Sequence, residues 1–250
     1  VKELSIIRVN EEEELGELPE CLTFFEMYGI HTLEELKVAE RWKTHRTEQS
    51  LKAVIGQKAG CKDCILDVHE KYHGPHGLIA GTTGSGKSET LQTYILSLAV
   101  NYSPDDVGFF IIDYKGGGMA NLFEGLPHMI GAISNLSGNE IHRAMVSIKS
   151  ENRRRQTVFN LAGVNNINSY AKLVRSGEAE LPVPHLFIVV DEFAELKREQ
   201  PEFMKELISA ARIALAFALP APSMAAENRL RRSASLSASS PSFSIPTYSI

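Results

Sequence analysis

The sequence predicts an α/β fold: a three-layer αβα sandwich built on a mostly parallel sheet. Two observations carry that expectation. From about residue 60 onward, short and nearly continuous apolar runs alternate with helical patterns, which is how a parallel sheet covered on both faces is written. One of those runs, Leu78-Ile79-Ala80, enters the octapeptide Gly81-Thr82-Thr83-Gly84-Ser85-Gly86-Lys87-Ser88, and a helical stretch leaves it. Strand, glycine-rich loop and helix in that order form the setting of the phosphate-binding pattern G-x-x-x-x-G-K-[ST].

The elements follow in order. Thr32-Leu33-Glu34-Glu35 has the form of a capping box and predicts a helix running to about Trp42. Trp42 is the single tryptophan, expected to pack this segment onto the main domain. Cys61-Lys62-Asp63-Cys64 reads as a turn between two short strands, the second of them Ile65 to Val68. A lone C-x-x-C with no second pair at finger spacing argues against zinc. His69, His73 and His76 surround Gly74-Pro75 and read as the turn leading into the strand Leu78 to Ala80. Glu89 to Val100 is the helix after the loop, with Leu91, Tyr94, Ile95, Leu98 and Ala99 on its buried stripe. Val107 to Asp113 is a second buried strand. Asn139 to Phe159 is a long helix with Ile141, Met145, Ile148 and Asn152 along one side. Leu186 to Val190 is a third buried strand, and Glu202 to Ile213 a further amphipathic helix. The whole is expected to comprise an extension over 1–58, a nucleotide-binding core over 59–213, and a Ser/Ala/Pro-rich tail over 214–250. The composition of that tail predicts disorder from about residue 221.

Three constellations carry chemistry. The glycines of the loop let backbone N–H groups turn inward toward phosphate oxygens, with Lys87 reaching the β- and γ-phosphates of a nucleoside triphosphate and the Ser88 hydroxyl holding Mg²⁺. Asp191-Glu192 ends the strand Leu186 to Val190, at the sheet edge beside the loop. Asp191 is placed to hold the Mg²⁺ hydration shell and Glu192 to orient the water that attacks the γ-phosphate. Asp113-Tyr114-Lys115-Gly116-Gly117-Gly118 reaches the same edge; there Lys115 suits a phosphate or acidic partner and Asp113 the metal shell. Arg153, Arg154 and Arg155 point in three directions around their helix, so they cannot serve one site, and most of the run reads as a solvated face pairing with acids.

Composition sets bounds. A net charge of −5 is unlike a free-standing nucleic-acid module, which shows a basic surface. No apolar run approaches the length needed to cross a bilayer, and the first residues lack the form of a signal peptide. The three cysteines cannot all pair with one another, which suits a reducing compartment.

Residues His73 to Glu89 (His-Gly-Pro-His-Gly-Leu-Ile-Ala-Gly-Thr-Thr-Gly-Ser-Gly-Lys-Ser-Glu) resemble the phosphate-loop signature of the FtsK/SpoIIIE-type ATPases. Within that group the chain resembles the EssC ATPases of type VII secretion. The stretches Phe24 to Gly29, Asp113 to Met119 and Val189 to Leu196 carry the narrower likeness, which spans roughly residues 18 to 213. The chromosome-pumping branch usually has Pro in place of Tyr114 and lacks the triple glycine. The resemblance implies an ASCE-class P-loop (RecA-like) fold, ATP and Mg²⁺ as ligands, and self-association into a ring, hexameric in the family, with nucleotide between subunits. It also implies a motor at the cytoplasmic face of the bacterial membrane, part of a larger protein, that exports small helical-hairpin proteins together with other secretion components. Position by position, Gly81 to Glu89 match the nucleotide-binding loop, with Lys87 and Glu192 catalytic, and Ser88 and Asp191 on the metal. The family pattern continues after Arg212-Ile213 with a glycine-containing turn and a core strand ending in a γ-phosphate sensor. Ala214 onward does not match it, and the change suggests a reading-frame shift or a truncated gene. Two alternatives therefore stay open beside the secretion ATPase: a DNA translocase of the same superfamily, and a nucleotide-binding fragment without turnover.

Overall fold

The computed structural model describes residues 21–82, 84–113, 118–134, 138–205 and 207–208, all within the first of two units of the chain, Val1–Ala218. The acidic run Glu11 to Glu14, the tail from 214 and half of the helix expected over Glu202 to Ile213 lie outside the described residues; 201–205 and 207–208 are helical.

The sheet at the centre has three parallel strands: β3 (Val107–Asp113) between β4 (Met129–Ser134) and β5 (His185–Asp191). Six of the seven β3 residues are buried. Its run Val-Gly-Phe-Phe-Ile-Ile is apolar on both faces because helices cover both. Side chains alternate across the sheet, and the two cores record the alternation. Val107, Phe109, Ile111 and Val189 pack with Tyr94, Ile95 and Leu98 of α3 (Lys87–Asn101) and with Met119, Ala120 and Phe123 in and beside α4 (Met119–Leu122). Ile112, Ile188 and Val190 pack on the opposite side with Ile141 and Ala144 of α5 (Gly138–Leu161) and Leu196 of α7 (Phe193–Glu199). A third cluster joins Phe159 near the end of α5 to Tyr170 of α6 (Ile167–Ser176). This is the open αβα arrangement expected.

Gly108 shows how close the β3–β4 packing is. A Cβ there would run into the Cδ1 of Ile130.

The hairpin β1 (Lys52–Lys58) and β2 (Lys62–Asp67) forms a separate antiparallel sheet. Cys61 sits in its turn with φ 56°, but Lys62, Asp63 and Cys64 already belong to β2 and pair with β1, so the turn precedes the C-x-x-C expected to form it. Leu51 and Ala53 enter the main core beside α3.

Two expectations fail locally. The capping box lies at Thr23, not Thr32: Thr23 caps α1 (Phe24–Tyr28), and the Glu26 carboxylate returns to the Thr23 N–H at 2.8 Å. Glu35 instead accepts from the His31 N–H, leaving only a 3-10 turn over Glu34–Leu36 before Lys37 takes a left-handed conformation and α2 (Val38–Thr44) starts anew. Leu33 stays 66% exposed, because no core lies beneath it to hold a longer helix together. The second failure is Leu78 to Ala80, which is not a strand. A strand requires a neighbour for its N–H and C=O groups, and none of the described strands lies alongside. Leu78 and Ile79 are correspondingly 78% and 45% exposed. The stretch after Ile213, where the resemblance places the last core strand, lies outside the described residues.

Trp42 does join the first segment to the core. Its indole N–H donates to the Ala99 carbonyl at 2.9 Å, and its ring meets the edge of His128.

Candidate functional site

Three features carry the candidate site residues. The first is the phosphate loop, which turns into α3 at Gly86 (φ 84°) after Gly84 (φ 78°). Both glycines hold conformations that a side chain disfavours. At Gly81 an added Cβ would lie 2.5 Å from the Ser85 hydroxyl oxygen, so Gly81 lets that side chain fold over the loop. Lys87 folds back over the loop, donating from Nζ to the carbonyls of Gly81 (3.0 Å) and Thr82 (2.8 Å). Its ammonium is therefore held above the loop rather than loose in solvent. Ser88 and Glu89 occupy the first turn of α3, where N–H groups are free of intrahelical partners and the helix dipole favours anions. Gly81, Thr82, Gly84, Ser85, Gly86, Lys87, Ser88 and Glu89 thus form one contiguous element, while Thr83 lies outside the described residues.

The second segment is the end of β5. Asp191 pairs in register with Asp113, the last residue of β3, and Asp113 in turn with Ser134 at the end of β4. In-register neighbours share a face, and that face follows from the alternation. Ile111 and Val189 pack against α3, so Asp113 and Asp191, two residues further on, lie on the α3 side. Ile112 and Val190 face α5 and α7. Both carboxylates are consequently on the side of the sheet that carries the phosphate loop.

The third segment begins at Glu192, which has left-handed dihedrals (φ 55°, ψ 44°) and starts α7. Its N–H donates to the Asp191 carboxylate at 3.0 Å, and the residue is exposed. A non-glycine residue in this region is strained, and such strain gathers at functional positions.

The donors at this edge are all oxygens: the Ser88 hydroxyl and the carboxylates of Asp191 and Asp113. That chemistry fits Mg²⁺, which binds through one or two carboxylates plus phosphate oxygens and keeps several waters. Among the described residues no group of three or more His, Cys, Asp or Glu gathers as a metal cage would require.

Other expected residues stand elsewhere. Lys115 lies outside the described residues. Arg154 and Arg155 both pair with Glu151 at 2.7 Å, and Arg155 also donates to the Pro184 carbonyl. The Arg154 hydrogen bond, followed by that of Arg155, holds the Glu151 carboxyl below its usual range. Arg155 thereby braces α5 against the segment entering β5, while Arg154 pairs only within the helix. His73 accepts the Asp67 N–H and keeps the turn before the loop in shape. Ser134 has no counterpart among the sequence candidates. β4 is a short alternating run interrupted by Gly131, and only the sheet register brings its end to this edge.

Comparison with known proteins identifies the family. Residues 36–235 match the model of the FtsK/SpoIIIE family. The chain belongs to the FtsK/SpoIIIE family. The match runs past Ala214, where the sequence pattern changes. The chain is 55% identical over 196 residues to the type VII secretion system protein EssC of Staphylococcus aureus, covering 78% of this chain and 13% of that protein. Its fold superposes on the cytoplasmic domain of the Thermomonospora curvata type VII secretion ATPase EccC with a TM-score of 0.73 and 33% identity, over 80% of this chain and 24% of that one. A second structure, the T. curvata EccC ATPases 2 and 3 in complex with a signal sequence peptide, matches with a TM-score of 0.57 and 26% identity, covering 65% and 30%. This FtsK/SpoIIIE chain is thus homologous to ATPase domains of EssC and EccC, and spans only 13% of the length of the EssC relative. Among the described residues no helix is long and apolar enough to cross a membrane.

Proposed function

We propose that this chain is an ATP-binding and ATP-hydrolysing module of a type VII secretion motor. The supporting observation is the register that sets Asp191 on the α3 face of the sheet, the face shared with Lys87 and Ser88. The loop amides and Lys87 bind the triphosphate; entering phosphate oxygens replace the carbonyls of Gly81 and Thr82 as acceptors for the lysine. Ser88 and Asp191 hold Mg²⁺, which when bound neutralises charge developing on the β- and γ-phosphates. Glu192 orients the attacking water and accepts its proton. The remaining assignments follow the relatives. The module assembles with further copies or sister domains into a ring at the cytoplasmic face of the membrane. It works on peptides bearing secretion signals, a reading supported by the signal sequence peptide in complex with T. curvata EccC.

The test is ATP binding and steady-state hydrolysis by the purified chain beside Lys87→Ala and Glu192→Gln. The expected result is that Lys87→Ala loses binding and that Glu192→Gln binds ATP but loses turnover by about 10²-fold or more. Turnover unaffected by either substitution overturns the site. Binding without turnover in the unmodified chain overturns the enzyme reading and leaves a nucleotide-binding fragment.

A further inference from the structure

We propose that α1 and α2 form a strap that seats α3 along its axis and thereby sets how tightly the phosphate loop holds nucleotide, an inference that rests on the ATPase reading above. α3 carries Lys87 and Ser88 in its first turn, and Gly86 precedes it with no side-chain cap. Side-chain hydrogen bonds at that end stay within the helix or reach back to the loop, at Gly81, Thr82 and Gly86. Among the described residues, every hydrogen bond that ties α3 to another element is made by Ser97, Ala99 or Asn101, toward its far end. Apolar packing by Tyr94, Ile95 and Leu98 holds α3 against the sheet. Such contacts are non-directional, and packed helices slide past their neighbours in shear motions.

The strap supplies the directional contacts. The Trp42 indole N–H donates at 2.9 Å to the carbonyl of Ala99, one of the final carbonyls that find no partner within a helix. The Asn101 amide donates to the Tyr28 hydroxyl at 3.3 Å and to the Lys52 carbonyl at 3.4 Å, and its oxygen accepts from the Arg41 guanidinium at 3.3 Å. Asn101 is buried, so this one side chain is committed to α1, α2 and β1 together. Tyr28 meets Ser97 as well, at 2.6 Å. Arg41 also sets a cation at the carboxyl end of α3, where the helix dipole favours it, as the dipole favours phosphate at the amino end. A helix moves as a rod, so a displacement at Asn101 or Ala99 is carried to Lys87 and Ser88. The coupling is reciprocal: nucleotide held at the amino end of α3 steadies the strap.

Trp42 is the chain's single tryptophan and belongs to the strap, so its emission reads the coupling directly. The purified wild-type chain is titrated with a non-hydrolysable ATP analogue and Mg²⁺ while tryptophan emission is followed. A fluorescent ATP analogue then measures affinity in wild type, Trp42→Phe, Tyr28→Phe and Tyr170→Phe, each well below its melting temperature. Tyr170→Phe removes a bond to the Leu181 carbonyl in the third cluster and serves as the stability control. Wild-type emission is expected to change saturably, with the midpoint of nucleotide binding. Trp42→Phe and Tyr28→Phe should bind about fivefold more weakly, while Tyr170→Phe binds as wild type does. Unchanged Trp42 emission at saturating nucleotide overturns the proposal while the ATPase reading stands. Strap variants that bind as tightly as wild type, or an equal weakening in Tyr170→Phe, overturn it too. If a strap variant does not fold, the wild-type emission decides alone. If wild type binds neither analogue, the ATPase reading fails and this inference with it.

Discussion

The Tyr28 hydroxyl lies 2.6 Å from the Ser97 hydroxyl and joins the amino-terminal segment to the helix that follows the phosphate loop. Ser97 is fully buried and also accepts the Val54 N–H at 2.8 Å, so one serine links α1, β1 and α3. Burial raises the Tyr28 phenol above its usual pKa, so it acts as a neutral hydroxyl across the physiological range. The guanidinium of Arg41 covers its ring at 5.1 Å.

Removing either hydroxyl should have unequal effects. Tyr28→Phe loses the Ser97 bond and the longer bond from the Asn101 amide to the same hydroxyl, and is expected to cost about 1–1.5 kcal/mol. Ser97→Ala strands the Val54 N–H as well and should cost about 2–3 kcal/mol. Urea unfolding of the two variants and the double variant measures the difference and the coupling between them. Equal losses would contradict the shared-serine arrangement.

Gly108 and Ile130 form a test of packing across β3 and β4. Because a Cβ at Gly108 meets the end of the Ile130 side chain, Gly108→Ala should destabilise by about 1–3 kcal/mol. Ile130 is 55% exposed, so Ile130→Ala alone should change little. Combining the two should restore most of the loss, seen as a melting temperature close to that of Ile130→Ala.

Stability should fall on mild acidification. Burial pushes the His185 imidazole down to about 4, with Asp106 raising it and Arg155 and His69 adding to the depression. Burial lowers His128 too, against its bond to the Tyr102 carbonyl. Both rings are neutral in the folded chain and take up protons near pH 6.5 once unfolded. Their contribution is therefore complete above pH 6.5 and is lost as pH falls from there toward the folded values. For His185 the full loss is roughly 2 kcal/mol, discounted because the residue is only half-buried by accessible surface. Urea midpoints at pH 7 and pH 5 check this, and His185→Gln should flatten the dependence.

The two arginines on Glu151 should separate by burial. The Arg154 side chain is 52% exposed, and Arg154→Ala is expected to cost under about 0.5 kcal/mol. The Arg155 side chain is 12% exposed and also holds the Pro184 carbonyl, so Arg155→Ala should cost about 2–4 kcal/mol. Denaturant unfolding in low and high salt distinguishes them, because only the Arg154 contribution is screened appreciably.

Much of the fold was legible because the signals are local. The Leu91 to Ala99 stripe, the apolar run Val107 to Asp113 and the strand ending at Asp191 each show the period or length of the element they form. β4, α1, α4, α6 and α7 were missed. All but α6 are short, and α6 follows Asn166, whose cap on the Ser169 N–H is a signal that sequence reading could have used. Thr23 and Thr32 both begin a Thr-x-x-Glu, and only packing chose between them.

For the site, the sequence by itself determined the phosphate loop from Gly81 to Ser88, because glycine spacing and one lysine suffice to specify that local geometry. It also placed acids at the ends of two apolar strands. The tertiary structure decided which acids stand side by side. Asp113 and Asp191 are 78 positions apart in sequence, and only the β3–β5 register sets them on one face, beside α3. The tertiary structure likewise decided that Leu78 to Ala80 is not a strand. A loop's conformation depends on its own residues, whereas strand pairing and sheet face depend on which partner lies alongside.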